Sequence, residues 1–137
     1  RGKRIGRDNC YSFVMLYRVT IAKYEDQSGN VCTSRFSFET PNGAILAYKY
    51  IKPVSSWDEI PAVVQRRRQT EEYYPEERKT LNGKNFIMFR TKNDIYEKNV
   101  FYYTDSYFFV FNFLTRTNEN LDKDLDTMLA SIEFYKK

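Results

Sequence analysis

Asp122-x-Asp124-x-Asp126 with Glu133 places carboxylates at positions 1, 3, 5 and 12 of a calcium-binding loop, and Leu129 falls at its apolar eighth position. The sixth position, where that loop turns sharply on glycine, is Thr127. The same residues make a good helix, on which every second position is rotated by about 200°, so the three Asp cannot converge on one ion. No metal site is assigned. Glu71-Glu72 and Glu76-Glu77 flank Tyr73-Tyr74-Pro75 and could act as an acid–base pair. Adjacent acids in a polar connection are ordinarily just solvated. Histidine is absent altogether. That removes Ser-His-Asp and Cys-His nucleophile systems, His-ligated zinc and the usual near-neutral general base. With only 5 glycines, the chain also lacks the glycine loops that cradle phosphates. No catalytic residue and no cofactor follow from the residue types, and the expectation is a protein that binds rather than transforms.

Two groups of residues are candidates for binding, and one pair for a disulfide. Arg66-Arg67-Arg68, with Arg1, Lys3, Arg4 and Arg7, could form a basic patch for phosphates, and Tyr73 and Tyr74 nearby could stack bases. The competing reading is a solvated helix face balanced by Glu71 and Glu72. The charges total 22 basic and 18 acidic residues, a net +4, with both signs interspersed, so nucleic acid is the weaker reading. Trp57, Arg66, Arg67, Tyr73 and Tyr74 are the candidate residues for a partner, expected to be another protein. Cys10 and Cys32 could pair in an oxidising compartment. A simple hairpin turning at residues 25–30 sets Cys32 opposite Lys23 and leaves Cys10 13 positions further along. That separation is about 40 Å. A bridge would need the first strand to bend or to begin later.

The elements that must position these residues read as follows. Residues 1–9 are polar and basic, a loose arm, and residues 10–137 carry the folded domain. The chain opens on Arg1-Gly2 without an initiator Met, and the expectation is that a targeting segment has been removed. No apolar run approaches the ~18 residues of a membrane span. Residues 11–24 alternate with period 2, placing Phe13, Met15, Tyr17, Val19 and Ile21 on one face of a long strand. Residues 31–40 alternate again, and residues 44–51 are a short apolar run. Ser56 and Glu59 fit a capping box, or Asp58 caps, for a helix over 57–72. Asn82-Gly83 is a hairpin turn signal. Residues 86–91, 99–104 and 107–115 read as three strands, the last covered on both faces because Phe109, Phe111 and Phe113 oppose Phe108, Val110 and Leu114. Leu121, Leu125, Met128, Leu129 and Ile132 share one face of a helix over 119–131, and Phe134-Tyr135 follow as an extended tail. The sum is an α+β domain, an antiparallel sheet of about six strands flanked by two helices. Its 11 Phe, 12 Tyr and single Trp supply ample core.

This layout resembles the PsbP/DcrB-like fold over residues 31–137. The resemblance rests on Phe36-Ser37-Phe38-Glu39-Thr40-Pro41-Asn42-Gly43 and on the Ser56-Trp57-Asp58-Glu59 helix start followed by Leu81-Asn82-Gly83-Lys84 and three strands. It rests also on the ending Met128-Leu129-Ala130-Ser131-Ile132-Glu133-Phe134. Such proteins are mostly non-enzymatic, among them extracytoplasmic and lipoprotein domains and photosystem accessory subunits. The resemblance implies a non-catalytic binding module of the cell envelope, acting outside the cytoplasm. A nucleic-acid-binding domain using Arg66–Arg68 is the alternative. The partner's identity and the oligomeric state do not follow from the residues.

Overall fold

The computed structural model describes residues 2–6, 11–26, 34–41, 43–50, 73–92, 95–103, 108–115 and 121–135. Its main layer is a seven-stranded antiparallel sheet in the order β3-β4-β5-β9-β8-β7-β6. These strands are β3 (Ile21–Asp26), β4 (Ser34–Thr40), β5 (Gly43–Tyr50), β6 (Glu77–Leu81), β7 (Lys84–Arg90), β8 (Glu97–Tyr103) and β9 (Phe108–Thr115). A smaller sheet, β1-β2-β10, is built from β1 (Lys3–Ile5), β2 (Tyr11–Met15) and β10 (Glu133–Phe134). The helix α1 (Asp122–Ala130) lies with it against one face of the main sheet.

The register explains the core. Phe38, Ile45, Phe113, Lys98 and Arg90 form one cross-strand row, and Phe111, Val100, Met88 and Glu77 another. A third row runs Phe109, Tyr102, Phe86, Lys79. All three rows point to the layer made by β2 and α1. Tyr11, Phe13 and Met15 come down from β2, and Leu125, Met128, Leu129 and Ile132 from α1 and its exit, all buried. Phe13 meets Phe38 and Phe111 edge-on, with centroids 6.1 and 5.3 Å apart, and Tyr11 meets Phe109 at 5.1 Å. Each such ring contributes about 1.5–3 kcal/mol by burial. Phe134 on β10 stacks on Tyr102 at 5.3 Å and so closes the core at the chain's end.

The expected strand over residues 107–115 is β9, third from neither edge but central between β5 and β8. Phe109, Phe111 and Phe113 are buried on one face and Val110 on the other. Two turns hold the hairpins. Asn82 and Gly83 take φ of +49° and +77°, the left-handed pair that a two-residue hairpin needs. Gly43 answers a different demand, because a Cβ there would sit 2.1 Å from the Leu114 carbonyl oxygen.

Four expectations are corrected. The main sheet has seven strands rather than about six, with three more in the small sheet, and among the described residues one helix flanks it. The added strand β6 is charged (Glu-Arg-Lys-Thr-Leu), and it pairs because the Asn82-Gly83 turn folds it back on β7. The long first strand is two strands in two sheets. The expected common face breaks as the chain leaves one layer for the other at Leu16–Thr20: Phe13 and Met15 are buried, but Ile21 pairs with Glu39 and is 47% exposed, while Ala22 lines up with core Phe38. In the resulting hairpin Lys23 faces Ser37, not Cys32. Finally, the basic arm is not loose throughout. Lys3–Ile5 pairs antiparallel with β2, and Arg4 donates to Ser12 Oγ at 2.9 Å and to the Ser131 carbonyl at 3.0 Å. Helix α1 falls within the expected 119–131, while the helix expected over 57–72 lies outside the described residues.

Candidate functional site

Charged groups collect where the three core rows end. Lys98 occupies a core position between Phe113 and Arg90 and is 1% exposed. A lysine is tolerated there only when its charge is matched. Its Nζ donates to Glu77 Oε1 at 2.8 Å and to Asp122 Oδ1 at 2.9 Å. Tyr96, fully buried, donates its hydroxyl in a short bond to the same Asp122 oxygen. Lys79 reaches Asp126 at 3.0 Å and Glu77 at 3.8 Å. Tyr17, stacked on Phe113, donates to Asp124 Oδ2 at 2.6 Å. The first turns of α1 therefore carry three carboxylates, each gripped by a different anchor. Two of them, Asp122 and Asp124, lie in the first turn, where the helix dipole favours negative charge.

Burial works against ionisation of Asp122, but the hydrogen bonds from Tyr96 and Lys98 and the charges of Lys98 and Lys79 outweigh it and hold its carboxyl below the usual range. Burial likewise pulls Lys79 down, and Asp126 and Glu77 more than restore it, leaving it above its ordinary value. The Tyr96 phenol is driven well up by burial and then by Asp122. The charges of this clamp are thus matched within the fold.

Beside the clamp lies an aromatic ledge. Tyr73 bridges to Thr91 and turns to the sheet face away from α1, meeting Phe89 edge-on at 6.0 Å, and Phe89 meets Phe101 at 6.2 Å. Tyr74 hydrogen-bonds through its backbone to the Arg90 carbonyl at 2.8 Å and turns outward, 49% exposed. The Arg90 guanidinium lies between two rings, 4.9 Å from the Tyr96 centroid and 5.7 Å from that of Tyr74. The Lys92 ammonium stands 5.4 Å from the Tyr74 centroid. The order is thus Tyr96, Arg90, Tyr74, Lys92, running from core to surface.

The face of the sheet away from α1 carries a polar group of buried Thr91, Glu97 and Asn99 and half-buried Asn112. Asn112 Nδ2 donates to Glu97 Oε2 at 3.1 Å and to Asn99 Oδ1 at 2.7 Å. A carboxylate only accepts, so Asn112 must present its NH₂, and Asn99 must answer with its oxygen. The Asn99 amide nitrogen and the Thr91 hydroxyl are left buried without a partner. At the β6–β7 edge an open hollow of about 290 Å³ is lined by Arg78, Lys79, Thr80, Asn85 and Phe86. Its polar lining is already engaged: Arg78 with Glu76, Lys79 with Asp126, Thr80 with Asn85.

Of the candidate residues, Tyr73 and Tyr74 are placed side by side with opposite roles. Trp57, Arg66, Arg67, Cys10 and Cys32 lie outside the described residues. The Asp122, Asp124, Asp126 and Glu133 set sits on and just after a helix, and the four carboxylates go to Lys98 and Tyr96, to Tyr17, to Lys79 and to Arg4. Reasoning from spacing missed Lys98, Tyr96, Arg90 and Lys92. A lysine and an arginine at inward positions of flanking strands were the available signal, and the register needed to see them as one group came only with the fold.

No family model matches the chain, and neither does any curated protein. Among solved structures, the solution structure of cyanobacterial PsbP (CyanoP) from Synechocystis sp. PCC 6803 is similar, with a TM-score of 0.61 at 14% identity. That likeness covers 97% of this chain and 92% of the other. A crystal structure from Bacteroides thetaiotaomicron VPI-5482 matches with a TM-score of 0.50 at 15% identity, covering 99% of this chain and 49% of that one. At these identities the likeness shows the fold, and the fold is PsbP-like α+β.

Proposed function

We propose that this domain is a non-catalytic binding module that docks a protein partner on the ledge around Tyr73 and Tyr74. The observation that carries the reading is the contrast at Tyr74. Its ring is 49% exposed, while its backbone is bonded to β7 and its neighbour Tyr73 packs against Phe89. An aromatic side chain presented on a fixed base loses little entropy on binding and supplies a large contact area, the combination found in interface hot spots. Absence of catalysis is part of the proposal. It is supported by the lack of histidine and by the reciprocal bonding of Lys98, Glu77, Asp122 and Tyr96. Placement outside the cytoplasm belongs to the same proposal and is supported by the PsbP-like fold alone. Among the described residues no helix is long and apolar enough to cross a membrane.

The test is partner capture on the immobilised chain and on its Tyr74→Ala variant, from envelope and cytosolic extracts washed at low and high salt. A protein retained by the parent and lost from Tyr74→Ala, with the variant's unfolding midpoint unchanged, supports docking on the ledge. A protein retained equally by both moves the docking surface elsewhere. Capture of nucleic acid in place of protein returns the Arg66–Arg68 alternative.

A further inference from the structure

Arg90 and Lys92 are the two cations of the ledge, and neither forms an ion pair with a carboxylate among the described residues. The contrast with the clamp next to it is direct. There Lys98 and Lys79 are each matched by acids within 3.0 Å. Arg90 is half-buried, its Nε is shielded from solvent, and that nitrogen has no hydrogen-bond partner. Arginine is seldom drawn into a protein without a matching anion. Its guanidinium lies near the rings of Tyr96 and Tyr74, which attract the charge without neutralising it. Lys92 is exposed, its ammonium 5.4 Å from the centroid of the same Tyr74 ring. Two positive charges thus lie beside the exposed Tyr74 ring.

We infer that the partner segment docking at Tyr74 is acidic, setting carboxylates against Arg90 and Lys92 with an apolar or aromatic side chain on the Tyr74 ring. The inference rests on the docking reading above and adds the chemistry of the partner. Guanidinium and carboxylate match in a fork geometry, and an aromatic floor excludes water from the pair. Charges at such a rim set encounter rate and partner choice more than total affinity. The ring contact therefore persists at high salt, while the preference for acid is screened away.

The test uses a fluorescein-labelled decapeptide of alternating Glu and Ala around a central Phe, its Gln counterpart and a ten-nucleotide oligo-dT, followed by fluorescence anisotropy. The full chain is compared with Lys92→Glu and with Lys23→Glu, which makes the same charge change on exposed Lys23 of edge strand β3. That control lies five strands away, about 24 Å. The expected result is a preference of about tenfold for the Glu peptide at low salt, abolished by Lys92→Glu and kept by Lys23→Glu. Equal binding of the Glu and Gln peptides, or equal loss in both variants, overturns the acidic-partner inference. If the Gln peptide still binds and Tyr74→Ala removes it, the docking reading survives that failure. If neither peptide responds to Tyr74→Ala, the docking reading fails with it. Tight oligo-dT binding lost in Lys92→Glu also overturns the inference, in favour of nucleic acid.

Discussion

Replacing Lys98 by Met keeps an unbranched side chain, one atom shorter, and removes its charge. Lys98 is 1% exposed, so its own desolvation is nearly complete and is matched by Glu77 at 2.8 Å and Asp122 at 2.9 Å. Breaking a buried pair from one side ordinarily costs about 3–5 kcal/mol. Here the abandoned carboxylates are 42% and 35% exposed and regain water, so that range must be discounted. The expected cost at neutral pH is about 2–3 kcal/mol. For a chain of this size that corresponds to a fall in Tm of about 10 °C. Urea unfolding followed by tyrosine and tryptophan fluorescence reads it directly. Dependence on pH separates this account from a packing defect. Asp122 has a depressed folded pKa, so its contribution is present above the unfolded value near 3.8 and is lost as pH falls through the folded value. In Lys98→Met the cation that depresses it is gone, and that contribution is smaller from the start. The difference between the two proteins should therefore be largest at neutral pH and shrink steadily below about pH 4. A difference that is independent of pH, or one under about 0.5 kcal/mol at pH 7, refutes the clamp as an electrostatic device.

Gly43→Ala should destabilise by about 3 kcal/mol or prevent folding, because its Cβ would overlap the Leu114 backbone, as measured by chemical denaturation. Gly83→Ala in the open turn meets no atom within 4 Å and should cost only about 1 kcal/mol, from its φ of +77°. Thr91→Val should be neutral or stabilise by up to about 1 kcal/mol, since the hydroxyl it removes is buried and unpartnered; a loss above that in the same assay would show that the hydroxyl is bonded. Ser131→Ala should cost about 1–2 kcal/mol, because Ser131 Oγ accepts from the Val14 amide at 2.7 Å and donates to the Met128 carbonyl at 2.6 Å, and amide exchange at Val14 should accelerate.

Local pattern reached most of the elements. The Asn82-Gly83 pair, the alternating aromatics of residues 107–115 and the 3.6-residue spacing of Leu125, Met128 and Leu129 each encode their own conformation within a few neighbours, and each stands in the fold where it was expected. Helix geometry also excluded the calcium loop at 122–133, since alternate positions on a helix point apart. Partners across strands are a different kind of information. Residues 11–24 alternate in sequence without a break, yet Tyr11–Met15 and Ile21–Asp26 belong to different sheets and Ile21 is exposed, because alternation records neither the neighbouring strand nor a change of layer. The charged strand Glu77–Leu81 has almost no apolar signal and exists because a turn delivers it to β7. Lys98, Glu77 and Asp122 lie far apart along the chain, and only the register of three strands and the seat of one helix bring them within 3 Å. The same holds for Tyr74. Its side chain and that of Tyr73 have identical chemistry, and it is the pairing of Tyr73 with Thr91 that sets one ring against Phe89 and leaves the other exposed beside two cations.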